Sequence, residues 1–375
     1  MTCTIYEPSD HINPGPAVPS TRRGQGQTLT DLTTLQVGGP ATEIVRAATE
    51  EELVGAIADA DAHDIPVLVL GGGSNIVGAE AFDGRVVLDT REEITEEHVS
   101  GCGGAIVTAT AGTPWDDLVR YAIAREYSGI EALSGIPGSV GATPVQNVGA
   151  YGQEVGHTIS SVRVYDRATK KRSDLARAEL DLGYRSSALK DSLAQWGPTP
   201  RWVVLSVTFQ FTLGSLSGPV GYGQLASALG VDIGQRLPAT QVRDAVLQLR
   251  RSKGMVLDDA DRDTYSAGSF FTNPIIDREL VPEGAPAFGE GQKVKTSAAW
   301  LIDHAGYAKG YGGDLTGGRA TLSTKHVLAL TNRGGARTDD ILTLARALRD
   351  GVHDTYGITL VNEPIILGAT GSLVL

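Results

Sequence analysis

Cysteine is nearly missing from this chain. Cys3 and Cys102 are the only two in 375 residues, and neither belongs to a C-x-x-C pair, so the sequence carries no disulfide framework. The seven histidines are scattered. None pairs with another at metal-ligand spacing, so neither a structural nor a catalytic zinc is expected. No apolar run approaches the roughly 20 residues that span a bilayer. No basic segment followed by an apolar core opens the chain, so no secretory leader is read and the simplest compartment is the cytoplasm. Basic residues are outnumbered, 32 Lys and Arg against 44 Asp and Glu, for a net charge of −12 and a pI near 5.1. That balance argues against a protein that grips nucleic acid by neutralising its phosphates. It leaves room for a small phosphate-bearing ligand, which needs only a local pocket of Arg and Lys. Hydrophobic content of 41% and charged content of 20% are ordinary for a globular chain, and the length suits two or three domains.

Glycine is abundant, and its densest use lies in Ser134–Gly152, which reads Ser-Gly-Ile-Pro-Gly-Ser-Val-Gly-Ala-Thr-Pro-Val-Gln-Asn-Val-Gly-Ala-Tyr-Gly. So much glycine and proline rules out a helix or a central strand. What remains is exposed backbone N–H, small side chains and glycines free to take positive φ, the ingredients of an anion-binding nest. Ser139, Gln146 and Asn147 add side-chain hydrogen bonds suited to a polar ring edge. A loop of this length inside a compact domain is functional or disordered, and a bound cofactor is the favoured reading. A second glycine run, Gly71-Gly72-Gly73-Ser74-Asn75, follows the apolar segment Pro66–Leu70. It is not a Rossmann fingerprint, because Ile76 stands where the third glycine belongs and no amphipathic helix follows. Its backbone can still cradle a pyrophosphate.

Around these loops the pattern is mixed α and β. Residues 1–27, rich in Pro, Gly, Ser and Thr, read as a disordered lead-in, with order beginning near Thr28. Thr49-Glu50-Glu51-Glu52 is a capping box opening a helix with Leu53, Ile57 and Ala60 on one face, ending near His63. Strands are expected at 66–70, 86–89, 106–111, 161–166 and 202–213, the last with Val203, Leu205, Val207, Phe209 and Phe211 alternating. Pro114 is expected in the first position of a helix that Gly129 closes. Val242, Val246 and Leu249 share a helix face ending in Arg250-Arg251-Ser252-Lys253, cations that the macrodipole alone would explain. Asp258–Asp263 reads as an exposed acidic segment. Ser297–His304 and a helix capped by Thr338 and Asp339 and stopped by Gly357 follow. Ile358–Leu367 reads as a closing strand, with Glu363 costly in its middle unless paired; Pro364 fits an edge position.

Several short motifs look polar beyond structural need. Tyr184-Arg185 offers a planar cation for a carboxylate or phosphate, although such a pair is commonly a surface salt bridge. Tyr222 sits between Gly221 and Gly223. Ser269, in Gly268-Ser269-Phe270-Phe271-Thr272-Asn273-Pro274, has no elbow or histidine around it and is not read as a hydrolase nucleophile.

Taken in order, the run Gly71–Asn75, the Ile136-Pro137-Gly138-Ser139-Val140-Gly141…Gln146-Asn147-Val148-Gly149-Ala150-Tyr151 loop, Tyr184-Arg185, Gly268–Pro274 and Glu363 resemble the UDP-N-acetylenolpyruvoylglucosamine reductase (MurB) family of peptidoglycan precursor synthesis. The resemblance covers about residues 28–370. It implies an α+β flavoprotein with the vanillyl-alcohol-oxidase type of FAD-binding fold. Two FAD subdomains would lie near 28–98 and 99–235, and a substrate-binding domain near 236–356, with 357–375 returning to the first. Non-covalent FAD would be held by Gly71, Gly72, Gly73, Ser74, Asn75, Ile136, Pro137, Gly138, Ser139, Gly141, Ala142, Gln146, Asn147, Gly149, Ala150 and Tyr151. NADPH would be the hydride donor and an enolpyruvyl UDP-sugar the substrate. Arg185, Ser269 and Glu363 would be catalytic, with Ser269 the proton donor. Tyr184, Tyr222, Lys253 and Asn273 would contact substrate, Tyr222 marking the type with a substrate-covering tyrosine loop. No metal, nucleic acid or membrane partner is implied, and the protein would be a monomer.

The family's late glutamate is commonly followed by valine. Here Pro364 follows Glu363, which restrains its backbone and leaves the side-chain direction open. Two other readings remain from the residues alone. One is a sugar or alcohol oxidase of the same fold, although His157 carries no mark of a flavin attachment site. The other is a nucleotide-binding regulator without catalysis, against which the intact Arg185, Ser269 and Glu363 argue.

Overall fold

A computed structural model of the chain describes residues 12–21 and 26–375; Cys3 and most of the expected lead-in lie outside them. The chain forms two compact units, and the α+β expectation is met in both. The first takes Thr42–Gly72 and Asp83–Ser252 together with the described residues up to Thr21. The second takes Gly73–Phe82 and Lys253–Leu375 with the described residues up to Ala41.

The first unit is built on the Trp202–Leu213 strand. Its alternation buries Val203, Leu205, Val207, Phe209 and Phe211, as the period-two pattern predicts. It pairs antiparallel with Ile159–Asp166 on one side and Gly104–Thr110 on the other. Lys171–Ala176 and Ile94–Ser100 complete the sheet as outer strands. Both were invisible to periodicity because their side chains are largely exposed and polar on both faces. The Trp115–Ala124 helix lays Trp115, Leu118, Val119, Ala122 and Ile123 into the same core as Phe209 and Phe211. Pro114 is its N-cap rather than its first residue, and the helix ends at Arg125, ahead of Gly129. Glu126, at φ +57, makes that turn. A smaller three-stranded layer, Ala41–Ala47, Phe82–Asp89 and Val67–Leu70, is covered by the Glu50–Ala62 helix through Leu53, Ile57 and Ala60. Thr49 Oγ1 accepts from Glu52 N at 3.1 Å, the N-cap half of the expected capping box, but Glu52 Oε2 accepts from Ala48 N at 2.7 Å, one residue before the cap, instead of from Thr49 N.

Two expectations fail in this unit. The Ala239–Ser252 helix does not open the substrate domain. It belongs to the first unit, where Val242 and Val246 pack with Ala132, Val220, Leu225 and Ala226. Nor is the whole lead-in disordered. Val18 and Ser20 are buried, because the segment's backbone groups find buried polar partners that composition does not reveal.

The second unit centres on the Thr338–Tyr356 helix, with Ile341, Leu344, Ala345 and Leu348 facing the core as expected. Thr338 is its first residue rather than a cap. Arg337 is the N-cap, and its N–H is taken by Asp340 at 2.9 Å. Gly357, at φ +68, stops it. Around it lie the Ala320–Leu322/Leu330–Asn332 hairpin and a sheet of Ile275–Asp277, Lys293–Thr296 and Ala287–Phe288. Ile76–Val77 pairs in parallel with Ile365–Ile366. The closing strand is shorter than its apolar run, Ile365–Leu367 only, so Glu363 sits in a bend before it rather than mid-strand. The acidic segment is not uniformly exposed either. Asp263 is buried, accepting from Thr324 N at 2.8 Å, Thr324 Oγ1 at 2.6 Å and Arg333 Nη1 at 2.9 Å. Burial raises its pKa, and these partners outweigh that and hold it below the usual value. No helix among the described residues is long and apolar enough to cross a membrane.

Candidate functional site

In the first unit the two glycine runs meet. A Cβ on Gly72 would stand 2.6 Å from Gly138 Cα, and one on Gly71 would stand 2.8 Å from Ser139 Oγ. Only backbone without side chain fits there. Gly138 holds φ at +133. Most N–H groups of the long loop are already committed: Gly138 N to Ser20 O, Val140 N to Thr113 O, Gly141 N to Ala111 O, Ala142 N to Ser139 O. Among the described residues, those of Gly72, Ile136 and Ser139 donate to no acceptor. They are the donors available to an anion at this spot.

Asn147 departs from its expected use. Its side chain is buried and fully engaged, Nδ2 donating to Glu154 Oε2 at 2.8 Å and Gly183 O at 3.1 Å, and Oδ1 accepting from Gly156 N at 3.0 Å. It locks the loop at φ +45 and has no donor left for a ring edge. Its neighbours are firmly placed too. Glu131, buried below the loop, accepts from Gly129 N at 2.7 Å, Gln153 Nε2 at 2.7 Å and Gly218 N at 2.5 Å.

Arg185 comes to the same loop. Its Nη2 donates to Gly149 O at 3.0 Å, its guanidinium lies 5.6 Å from the Tyr184 ring centroid, and its backbone takes φ +54. Lys190 Nζ donates to its carbonyl at 2.9 Å. Tyr222, at the N-cap of the Gly223–Leu229 helix, meets Tyr151 edge to face with centroids 5.8 Å apart. Their glycines set this approach, since a Cβ on Gly152 would stand 2.9 Å from the Gly221 carbonyl carbon. Arg250, read as a helix-end cation, is instead buried under the loop, with Nε donating to Gly135 O at 3.2 Å. Burial draws its pKa down to about 10, so it stays charged at neutral pH.

The second unit gathers Ser74–Asn75, Ser269 and Glu363. Glu363 N donates to Phe270 O at 2.8 Å, Asn75 Nδ2 donates to Glu363 O at 3.4 Å, and Ile365 N donates to Asn75 O at 3.0 Å. Gly73 O accepts from Thr34 N at 3.0 Å. Ser269 is half-buried, following Gly268 at φ +72. Asn273 Oδ1 caps the Ala298–His304 helix through Ala298 N at 3.0 Å.

One group escaped sequence reasoning. His326 is half-buried, and burial first, then the charges of Lys253 and Lys309, lowers its pKa to about 4. Two lysines thus converge near one neutral imidazole, each supplied by a different stretch of chain. Nothing in the spacing of Lys253, Lys309 and His326 could announce this.

Comparisons with known proteins follow the same division. A family described as FAD binding domain matches residues 41–171, and one described as UDP-N-acetylenolpyruvoylglucosamine reductase, C-terminal domain, matches residues 260–367. The chain is 54% identical over 349 residues to the UDP-N-acetylenolpyruvoylglucosamine reductase of Cutibacterium acnes, covering 92% of this chain and 91% of that one. It is 49% identical over 357 residues to that of Thermobifida fusca, covering 91% and 97%. Among solved structures it resembles the Thermus caldophilus enzyme of that name (MurB), with 26% identity, a TM-score of 0.60, and 90% and 97% of the two chains covered.

Proposed function

The chain belongs to the UDP-N-acetylenolpyruvoylglucosamine reductase family, and from that premise we propose that it reduces the enolpyruvyl UDP-sugar to UDP-N-acetylmuramate. It is an FAD-dependent oxidoreductase of peptidoglycan precursor synthesis. The observation that carries the reading is the junction of Gly71-Gly72 with Gly138-Ser139. A cradle open only to side-chain-free backbone, with the N–H groups of Gly72, Ile136 and Ser139 uncommitted, fits a dinucleotide pyrophosphate. Gly71 to Asn75 and Ile136 to Tyr151 would hold FAD. When bound, FAD supplies a two-electron carrier between NADPH and the enolpyruvyl methylene.

The chain's own residues then have separable tasks. Hydride addition to the methylene places negative charge on the pyruvyl carboxylate. Arg185, fixed by Gly149 O and by its Tyr184 stack, would stabilise that charge. Ser269 would protonate the α-carbon. A hydroxyl is a weak acid, but the charged substrate intermediate is a strong base. Glu363 would assist only while protonated or hydrogen-bonded, since an ionised carboxylate would repel that charge. Lys253 would meet the diphosphate, with Lys309 adding charge near the same imidazole, which answers how an acidic protein holds an acidic ligand. Asn273 and Tyr184 would contact the sugar nucleotide, and Tyr222 would cover it.

The test is the visible spectrum under anaerobic conditions. NADPH should bleach the flavin band, and the enolpyruvyl UDP-sugar should restore it. A band restored only by oxygen would replace this reading with the oxidase.

A further inference from the structure

A fully buried ion pair links residues 16–20 to the long glycine loop. Asp116 and Arg243 are inaccessible to solvent, and they meet in a two-pronged bridge, Nη1 to Oδ1 at 2.7 Å and Nη2 to Oδ2 at 2.8 Å. Such a pair is costly unless the remaining lone pairs and protons are satisfied. Among the described residues Arg243 Nε is left without a partner, while the carboxylate and the two Nη groups are satisfied from two directions. From the loop, Gly135 N donates to Asp116 Oδ1 at 2.9 Å. From residues 16–20, Val18 N donates to Asp116 Oδ2 at 3.3 Å and Pro16 O accepts from Arg243 Nη2 at 3.1 Å. Ser20 closes the circuit. Its Oγ accepts from Asp116 N at 3.2 Å, and its carbonyl accepts from Gly138 N at 2.6 Å. Gly138 is the residue whose backbone lies against Gly72.

We propose that residues 16–20 are a strap that positions Gly135–Gly138 for the cofactor, with the Asp116–Arg243 pair as its anchor, so that FAD retention depends on a segment remote in sequence from either glycine run. The inference rests on the reading that this loop holds FAD. Val18 and Ser20 are positioning residues. Without them the carboxylate loses one of its four donors, Asp116 N loses its acceptor, and Gly138 is free to leave Gly72.

The test uses the full chain with Ser20→Ala, which deletes the acceptor of Asp116 N, and Val18→Pro, which deletes the donor to Asp116 Oδ2. Val18→Pro should raise the FAD dissociation constant by about tenfold, the usual effect of a lost hydrogen bond to a charged group, and Ser20→Ala, which removes a neutral bond, by about fivefold. The melting temperature of the FAD-free protein should fall modestly, and the rise produced by added FAD should shrink as well, so that the loss is larger with FAD than without it. Ser20→Thr, which keeps the hydroxyl, should restore wild-type affinity. If Val18→Pro does not fold, Ser20→Ala decides alone. Unchanged FAD affinity, or equal losses of melting temperature with and without FAD, overturns the strap. Gly72→Ala separates the two levels of the argument. If it weakens FAD while the strap variants do not, the strap alone falls. If it too leaves FAD affinity unchanged, the loop is not the cofactor site and the strap falls with it.

Discussion

Gly72 and Gly138 pack backbone to backbone, leaving no room for a methyl group on the former. Gly72→Ala should therefore force the two glycine runs apart. Overpacking of this kind costs about 1–3 kcal/mol, so the purified variant should carry less FAD, with a dissociation constant raised about tenfold or more. Gly55→Ala is the matched control. Gly55 lies within the Glu50–Ala62 helix with nothing within 4 Å of an added Cβ, and alanine there should raise the melting temperature and leave FAD content alone. Flavin absorbance per protein, measured for both, checks the pair.

Ser269→Ala should split the two half-reactions. NADPH should still bleach the flavin at the wild-type rate, because Ser269 takes no part in that step. Return of the band with the sugar nucleotide should slow by about 10²–10⁴, the usual contribution of a positioned proton donor. Stopped-flow measurement of each half-reaction decides. Equal losses in both would remove Ser269 from proton transfer.

How much of this was legible in the sequence depended on whether a residue's partner is local. The Glu50–Ala62 helix and the Trp202–Leu213 strand could be read because Thr49–Glu52 capping and period-two burial are near-neighbour effects. The motifs of the site were legible as motifs, since glycine run, Tyr-Arg and Gly-Ser-Phe-Phe are contiguous. What they touch was not. Asp116 and Arg243 are 127 positions apart, and each alone looks like a surface charge on an amphipathic helix. Asp263 was placed in solvent by its acidic neighbours and is buried by Thr324 and Arg333, some 60 to 70 residues on. Asn147 looked like a ligand for a ring and is consumed by Glu154, Gly183 and Gly156.

Arg185→Lys tests whether geometry or charge matters. Lysine keeps the charge but loses the planar fork and the stack on Tyr184. Sugar-nucleotide turnover should fall by about 10²–10³, the range for loss of one group that stabilises developing charge. The apparent affinity for NADPH should be unaffected. A variant with wild-type turnover would show that a point charge suffices and that the fork held by Gly149 O is incidental.

His326 gives a pH prediction with a definite sign. Its folded pKa of about 4 lies below its ordinary value of 6.5. Between those two values the unfolded chain binds the extra proton and the folded chain does not, so stability falls as pH drops from 6.5 toward 4. At about 1.4 kcal/mol per pH unit, the loss reaches on the order of 3 kcal/mol. Lys253 and Lys309 are the cations that disfavour its protonation. Asp263, held below its ordinary value of 3.8, acts only at lower pH. His326→Gln keeps a neutral polar side chain and has no proton to gain. Denaturant unfolding at pH 7 and pH 5 should show a smaller loss of stability in the variant than in the wild type. Equal losses would mean that the imidazole takes up its proton in the folded protein without penalty, and that the two lysines are not held against it.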